Sequence, residues 1–96
     1  MILEVAILNV IRGKHLEFEA AFDEAQKIIA ASEGYIRHQL KKCLEVEGQY
    51  ILLVEWQTLE AHTIGFRGSA AYQKWRAMLH HFYDPFPTVN HYSPVY

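Results

Sequence analysis

Histidine and arginine are the residues of this sequence best suited to proton transfer and anion binding near neutral pH, and the chain has six histidines. His62 lies in a short predicted helix that Gly65 and Gly68 interrupt, where a side chain can approach a ligand. A histidine on the surface fits this pattern equally well. Arg76 follows Trp75 in a later predicted helix, so it either reaches a binding site or forms an ion pair in solvent.

The remaining histidines and the single cysteine do not support a metal site. His80 and His81 are neighbours, so a helix points them about 100° apart and they cannot chelate one ion together. His38 and His91 fall on separate predicted strands, far apart in the sequence. Cys43 is the only cysteine, so no disulfide forms within the chain and a reducing compartment is expected. We therefore predict no metal.

Aromatic residues are numerous and make up 14% of the chain. A core of this size rarely needs so many large rings, so some are expected to line a cavity or a subunit interface. This surplus favours a flat apolar ligand over a sugar phosphate, which would need clustered cations or a glycine-rich loop at a helix N-terminus. Gly68-Ser69, with Arg67 beside it, is one weak candidate for a phosphate site.

Chain length, net charge and the distribution of apolar residues limit the number of domains and the partners expected for this protein. A length of 96 residues predicts one domain, residues 1–96. A net charge of -2 argues against binding to nucleic acid, which normally requires a basic surface. The apolar N-terminus lacks a basic start and contains Glu4 and Asn9, so it predicts a strand rather than a signal peptide. No apolar run approaches the ~20 residues of a membrane span, and we expect a cytoplasmic protein without membrane contact.

Hydrophobic periodicity predicts four strands, two main helices and one short helix. The strands are expected at residues 2–11, 35–45, 50–56 and 89–96, and the helices at residues 14–31, 59–66 and 69–82. Thr58 and Ser69 are suited to capping helices, Gly34 to ending one and Gly48 to a hairpin turn. Pro94 suggests that the last strand lies at a sheet edge. This order predicts an α+β, ferredoxin-like split βαβ fold: an antiparallel sheet with the helices on one face.

Two predicted strands are apolar on both faces. In the first strand Leu3, Val5 and Ile7 alternate with other apolar residues, and in the third strand Ile51 and Leu53 do the same. Such strands need cover on both sides, but the helices cover only one face. A second copy of the chain is the simplest cover for the other face, so we predict a homodimer packed sheet to sheet.

Several short stretches carry a resemblance to a known family: Gly34-Tyr-Ile, Glu55-Trp56 at the end of the third strand, Leu59-Glu-Ala-His62, Phe66, Ser69-Ala-Ala-Tyr72 and Val89-Asn-His-Tyr92. Together with the predicted pairing of split βαβ units, they resemble the antibiotic biosynthesis monooxygenase family of the dimeric α+β barrel superfamily. The resemblance covers nearly the whole chain. It is more specific for fold than for reaction, because the shared residues are mostly structural.

The resemblance implies a small oxygenase that oxidises polycyclic phenols or quinols without metal or flavin, holding its substrate between sheet and helices. Such an enzyme removes the phenolic proton, stabilises the resulting anion and excludes water, so that an electron-rich carbon reacts with O2. The family also includes haem-degrading enzymes and an isomerase that acts on a signalling sugar phosphate.

Matching residues one at a time implies roles for individual side chains. Trp56 corresponds to a tryptophan that contacts substrate through its indole N–H, and Arg76 to an arginine that would anchor the anion. The family's asparagine corresponds to Leu52, which cannot hydrogen-bond, and its tyrosine to His62, which can act as a general base. The expected catalytic residues are His62, Arg76 and Trp56, and the expected substrate-binding residues are Leu52, Phe66 and Tyr72.

Haem breakdown is not supported by the same comparison. The asparagine, tryptophan and haem-ligating histidine of that branch correspond to Ala6, Phe66 and Arg76, and only a shifted alignment offers Asn9, Trp75 and His80 or His81. We therefore expect no cofactor, and a small aromatic substrate together with O2. Two alternatives stay open: an isomerase or lyase acting on a small carbonyl compound, and a non-catalytic dimeric protein that binds a small ligand.

Overall fold

One antiparallel sheet and two helices account for most of the fold in the computed structural model, which describes residues 1–96. The strands are β1 (Ile2–Asn9), β2 (Tyr35–Lys42), β3 (Gln49–Trp56) and β4 (Val89–Tyr92), in the spatial order β2-β3-β1-β4. The helices are α1 (His15–Ala30) and α2 (Ala70–Leu79), with a π-helical segment at Ala61–Phe66 and a 3-10 turn at His80–Phe82. The predicted ferredoxin-like α+β arrangement is confirmed.

Local capping residues define where the helices begin. The Ser69 hydroxyl oxygen accepts a hydrogen bond from the Tyr72 backbone N–H at 3.1 Å, and Thr58 accepts one from the Ala61 backbone N–H at 3.1 Å. Both caps were expected from the sequence. The last strand, however, ends at Tyr92 rather than at residue 96, and it lies at the edge of the sheet. Neither α1 nor α2 has the length and apolarity needed to cross a bilayer.

The core lies between the helices and one face of the sheet. In β3 the alternate residues Tyr50, Leu52, Val54 and Trp56 are all buried, as strand geometry requires for a covered face. They pack with buried residues of the two helices, namely Phe18, Phe22, Ala25 and Ile29 of α1 and Trp75 and Leu79 of α2. The two central strands therefore present the same face to the helices along their full paired length.

The opposite face of the sheet has no cover within the chain. Leu3 and Val5 of β1 and Leu53 of β3 are only half-buried, and Ile7 is 40% exposed. These residues form a contiguous apolar surface, because β1 and β3 pair directly and Val5 lies opposite Leu53. We call this surface, made of Leu3, Val5, Ile7, Ile51 and Leu53, the open face.

A close approach at Gly34 positions the π-helical segment. Gly34 follows α1 with φ +83°, a left-handed conformation that glycine adopts without steric cost. A Cβ at this position would lie 2.6 Å from the Cβ of Ala61, which is too close for any side chain. Glycine therefore allows the segment that contains His62 to pack against the start of β2.

Candidate active site

A cavity of about 410 Å³ lies between the sheet and the helices. This volume falls within the ~300–1,000 Å³ of typical small-molecule sites. Most of the residues in its wall are hydrophobic, and the aromatic ones are Phe66, Tyr72, Trp75, Tyr83 and Phe86. Glu4, His62, Arg67 and His80 supply charged or polar groups, so the cavity combines apolar and aromatic residues with several polar ones.

Glu4 is a buried carboxylate in the wall of the cavity. It shares a face of β1 with Ala6 and Leu8, and that face is the one the helices cover, so the residue is only 4% exposed. The indole Nε1–H of Trp56 donates a hydrogen bond of 2.9 Å to Glu4 Oε1. A buried carboxylate needs such a partner, because an unpaired one would lose its hydration without compensation.

The π-helical segment carries His62 and Phe66 to the cavity. The backbone N–H of Arg67 donates to the carbonyl oxygen of His62 at 3.1 Å, five residues earlier, which is the hydrogen bond of a π-helical turn. Both His62 and Phe66 are buried, and the His62 ring stacks on Trp56 with 5.2 Å between ring centroids. Single π-helical turns often occur at functional sites.

Both ring nitrogens of His62 have protein neighbours. Its Nε2 lies 3.3 Å from Glu4 Oε1, and its Nδ1 lies 2.7 Å from the Nε2 of His91, which is within hydrogen-bond distance. His91 reaches this position because it lies on β4 directly opposite Glu4 in the strand register. Trp56, Glu4, His62 and His91 thus form a continuous polar chain drawn from β3, β1, the π-helical segment and β4.

Burial governs the acid–base behaviour of this chain. It raises the pKa of Glu4, although the Trp56 hydrogen bond and the Arg67 charge act in the opposite direction. It lowers the pKa of His62 to about 3, with smaller contributions from the positive charge of Arg67 and from His91. His62 is therefore neutral near pH 7 despite its proximity to Glu4. The contact is one between a carboxyl group and a neutral imidazole, not an ion pair.

Four of the residues expected from the sequence come together in the cavity wall: Leu52, His62, Phe66 and Tyr72. Trp56 has a different partner from the one expected. Its side chain is fully buried, and its N–H donates to Glu4, so it cannot also donate to a substrate. Its role is to hold the carboxylate.

Arg76 does not reach the cavity, contrary to expectation. It is exposed on α2, where its neighbour Trp75 points into the core. Consecutive helix residues are turned by about 100°, so burial of Trp75 directs Arg76 away. Arg67, which directly follows the π-helical segment, is the arginine that lines the cavity. It was noted in the sequence only as a neighbour of a weak phosphate candidate.

Glu4 and His91 also lie at this site, although neither was expected there from the sequence. Both had an available signal, because Glu4 alternates with Ala6 and Leu8 on one strand and His91 alternates with Val89 on another. A charged or polar residue on an otherwise covered strand face marks a buried polar group. Glu4 and His91 each contact His62, which lies between them. No group of three or more His, Cys, Asp or Glu residues is arranged to hold a metal ion.

The chain is similar in sequence to a known protein family and to a bacterial relative. The sequence model of a family described as antibiotic biosynthesis monooxygenase matches residues 1–78. The uncharacterized protein YczJ of Bacillus subtilis (strain 168) is 55% identical over 95 residues, covering 99% of this chain and 100% of that protein.

Solved structures share the fold over nearly the whole chain. A presumed antibiotic biosynthesis monooxygenase from Bordetella bronchiseptica is 30% identical with a TM-score of 0.93, covering 99% of this chain and 97% of that one. SnoaB, a cofactor-independent oxygenase from Streptomyces nogalater, is 17% identical with a TM-score of 0.85, covering 99% and 93% of the two chains. At that identity, the second likeness concerns the fold alone.

Proposed function

The chain belongs to the antibiotic biosynthesis monooxygenase family, and we propose that it is a cofactor-independent monooxygenase that oxidises a small aromatic or quinol-like compound with O2. The observation that carries this proposal is the cavity whose wall combines aromatic residues with a buried carboxyl–imidazole pair. The fold is shared with SnoaB, which is a cofactor-independent oxygenase.

The chemistry proposed for the cavity starts with removal of a phenolic proton. Breaking the O–H bond leaves an anion whose ring carbon is electron-rich enough to react with O2. Overall, a phenol becomes a quinone: one oxygen atom of O2 forms the new carbonyl, and the other leaves as water with the two hydrogens lost by the substrate. The substrate supplies all the electrons, so no external reductant is needed.

Each polar group of the cavity has a place in this scheme. The Glu4–His62 pair accepts the proton, and this modifies the expectation that His62 acts as base alone, since its pKa of about 3 makes it a weak base. Arg67 supplies positive charge beside the anion. Trp56 holds Glu4 through its N–H. Aromatic residues such as Phe66 exclude water and pack against the flat ring.

Oxygen consumption tests the proposal directly. The wild-type protein is mixed with a panel of phenols, hydroquinones and anthrone-type ketones, while O2 uptake and quinone formation are recorded. We expect equimolar O2 uptake and product, and a turnover at least about 100-fold lower in Glu4→Gln, because general-base catalysis contributes about 10²–10⁴. His81→Gln, an exchange at an exposed histidine, is the matched control. Undiminished turnover in Glu4→Gln would contradict the assignment of the base.

Glu4 also favours a second candidate function, an isomerase acting on a small carbonyl compound. Glu4 is a buried carboxylate with a raised pKa, and it faces a cavity whose wall includes the positively charged Arg67. Such a carboxylate is suited to removing a proton next to a carbonyl group. Such an enzyme would form product without consuming O2.

A non-catalytic binding protein would instead show a ligand-dependent rise in melting temperature with no chemical change in the ligand.

We also propose a homodimer in which two open faces pack together. The open face is apolar, and two of its residues, Leu3 and Leu53, line a depression of about 460 Å³ together with Tyr92. Soluble monomers rarely leave a contiguous apolar patch of several hundred Å² exposed.

A cytoplasmic location remains the prediction from the single cysteine, Cys43.

A further inference from the structure

Three polar side chains of the cavity wall have no hydrogen-bond partner in the protein. They are His80, which directly follows α2, and the two tyrosines Tyr72 and Tyr83. Their side chains make no hydrogen bond within the chain. No side-chain nitrogen or oxygen is fully buried without a partner, so the polar atoms of these residues are accessible to a ligand. Glu4 and His62, by contrast, already have polar neighbours.

The three residues form a group around the imidazole of His80. Its ring centroid lies 6.0 Å from that of Tyr72 and 6.0 Å from that of Tyr83. The ring of Phe86 packs edge-on against the same imidazole, with 5.0 Å between centroids. We call Tyr72, His80 and Tyr83 the His80 cluster.

A row of aromatic rings separates His80 from His62 along the cavity wall. The row runs from His62 through Phe66 and Tyr72 to His80, with 6.4, 5.4 and 6.0 Å between successive centroids. All four residues line the same cavity. The wall therefore has one polar group beside His62 and a second one beyond two intervening rings.

Position along β1 also separates the two polar groups. Glu4 lies near the start of β1, whereas Tyr83 pairs with Val10, just beyond the end of that strand. The cavity wall includes β1 residues from Glu4 to Leu8, which corresponds to about 13 Å of extended strand. A flat compound of two fused rings with a polar group at each end suits this length.

The protonation states of the cluster indicate the kind of group it would bind. Burial lowers the pKa of His80, and the positive charge of Arg76 acts in the same direction, so the imidazole is neutral near pH 7. Burial raises the pKa of Tyr83, so its hydroxyl keeps its proton. A neutral imidazole and a tyrosine hydroxyl both donate and accept hydrogen bonds. They match an uncharged hydroxyl group, which also does both.

We propose that the His80 cluster is a second polar subsite of the cavity, which binds a hydroxyl group of the ligand on the edge away from Glu4. The preferred ligand is then a flat aromatic compound with hydroxyl groups on two opposite edges, not one with a single hydroxyl group. His80 determines specificity and takes no part in proton removal. The inference rests on the proposed function for the aromatic nature of the ligand, but it concerns binding and not the reaction with O2.

Binding in the absence of oxygen tests the inference. The probes are 2-naphthol and 2,6-dihydroxynaphthalene, which share a ring system and differ by one hydroxyl group at the opposite edge. Titration calorimetry in anaerobic buffer at neutral pH gives both dissociation constants. We expect the wild-type protein to bind the diol about 4–20-fold more tightly, because a net hydrogen bond contributes about 2–10-fold. The two equivalent orientations of the symmetric diol account for the remaining factor of about two.

Substitutions at His80 show whether the cluster causes this preference. His80→Leu removes both ring nitrogens, so the preference for the diol should fall to about twofold. His80→Gln keeps a donor and an acceptor, so it should retain most of the preference. His81→Gln, at the exposed neighbouring histidine, is the matched control and should leave the preference unchanged. Far-ultraviolet circular dichroism checks that each variant is folded.

Nuclear magnetic resonance of the wild type tests the same contact without relying on His80→Leu. The ring ¹⁵N signals of His80, assigned from the spectrum of His80→Gln, should shift more with the diol than with 2-naphthol. Both compounds exert similar ring-current effects, so the difference reports the additional hydroxyl group. Equal shifts with the two compounds would contradict a contact between His80 and that group.

A wild-type preference of twofold or less would overturn the inference, as would a preference that folded His80→Leu retains in full. Both results are independent of oxygen chemistry. Conversely, absence of O2 uptake with a diol that binds selectively would refute the proposed function and leave the subsite intact.

Discussion

Burial of His62 should make the free energy of unfolding depend on pH. Replacing His62 with glutamine should remove this dependence. The ordinary pKa of histidine is 6.5, and burial lowers that of His62 to about 3. In the unfolded chain His62 takes up a proton as the pH falls through about 6.5, whereas in the folded protein it stays neutral until about pH 3. The unfolded state therefore gains protons first, and the free energy of unfolding falls on acidification between these two values.

The size of the effect follows from the pKa difference. Each unit corresponds to about 1.4 kcal/mol, so at pH 4.5, about two units below the ordinary value, His62 costs roughly 3 kcal/mol of stability. The penalty reaches its limit near pH 3. His62→Gln replaces the imidazole with an amide that does not titrate but still offers a hydrogen-bond donor and acceptor to Glu4 and His91. The variant should lose this pH dependence.

Urea unfolding at pH 7.5 and pH 4.5, at one fixed protein concentration, measures the difference. Between pH 7.5 and pH 4.5, the free energy of unfolding of His62→Gln should rise by about 3 kcal/mol relative to that of the wild type. His81→Gln, at an exposed histidine, should follow the wild type at both pH values. The contribution of Glu4 has the opposite sign, since its raised pKa means that the folded state binds protons first. A constant offset between wild type and His62→Gln would refute a buried, neutral imidazole.

Two further predictions concern packing. Gly34→Ala should destabilise the protein by about 1–3 kcal/mol more than Gly13→Ala, because both glycines have φ +83° but only the first would place a Cβ against Ala61; equal losses in urea unfolding would contradict that contact. If the proposed dimer packs through the open face, Leu53→Glu should give a monomer in sedimentation while leaving the far-ultraviolet circular dichroism unchanged, because it places a charge on that face. An unchanged sedimentation coefficient would count against packing of the two sheets.

Features that depend on short stretches of chain could be predicted from the sequence. Ser69 and Thr58 cap helices through bonds to backbone groups three residues away, and Gly34 and Gly48 adopt the positive φ expected at their turns. These features follow from local geometry. The ends of β2 and β4 could not be predicted in this way, because a strand ends where its pairing partner ends.

The site was only partly predictable, for a related reason. The family resemblance led to Leu52, His62, Phe66 and Tyr72, which lie together in the wall of one cavity, and their roles there stay predictions. It failed for Arg76, because the direction of a helix side chain depends on which neighbouring residue the core buries.

The sequence by itself determined the order of elements and the apolar character of both sheet faces, since alternation along a strand is a property of consecutive residues. Only the tertiary structure decided which polar groups meet. The Trp56–Glu4 bond joins residues 52 positions apart, and the His62–His91 contact joins residues 29 positions apart. Strand register places Glu4 opposite His91, and packing of the π-helical segment brings His62 between them. Neither arrangement is encoded in local spacing, because both depend on how separate elements pack.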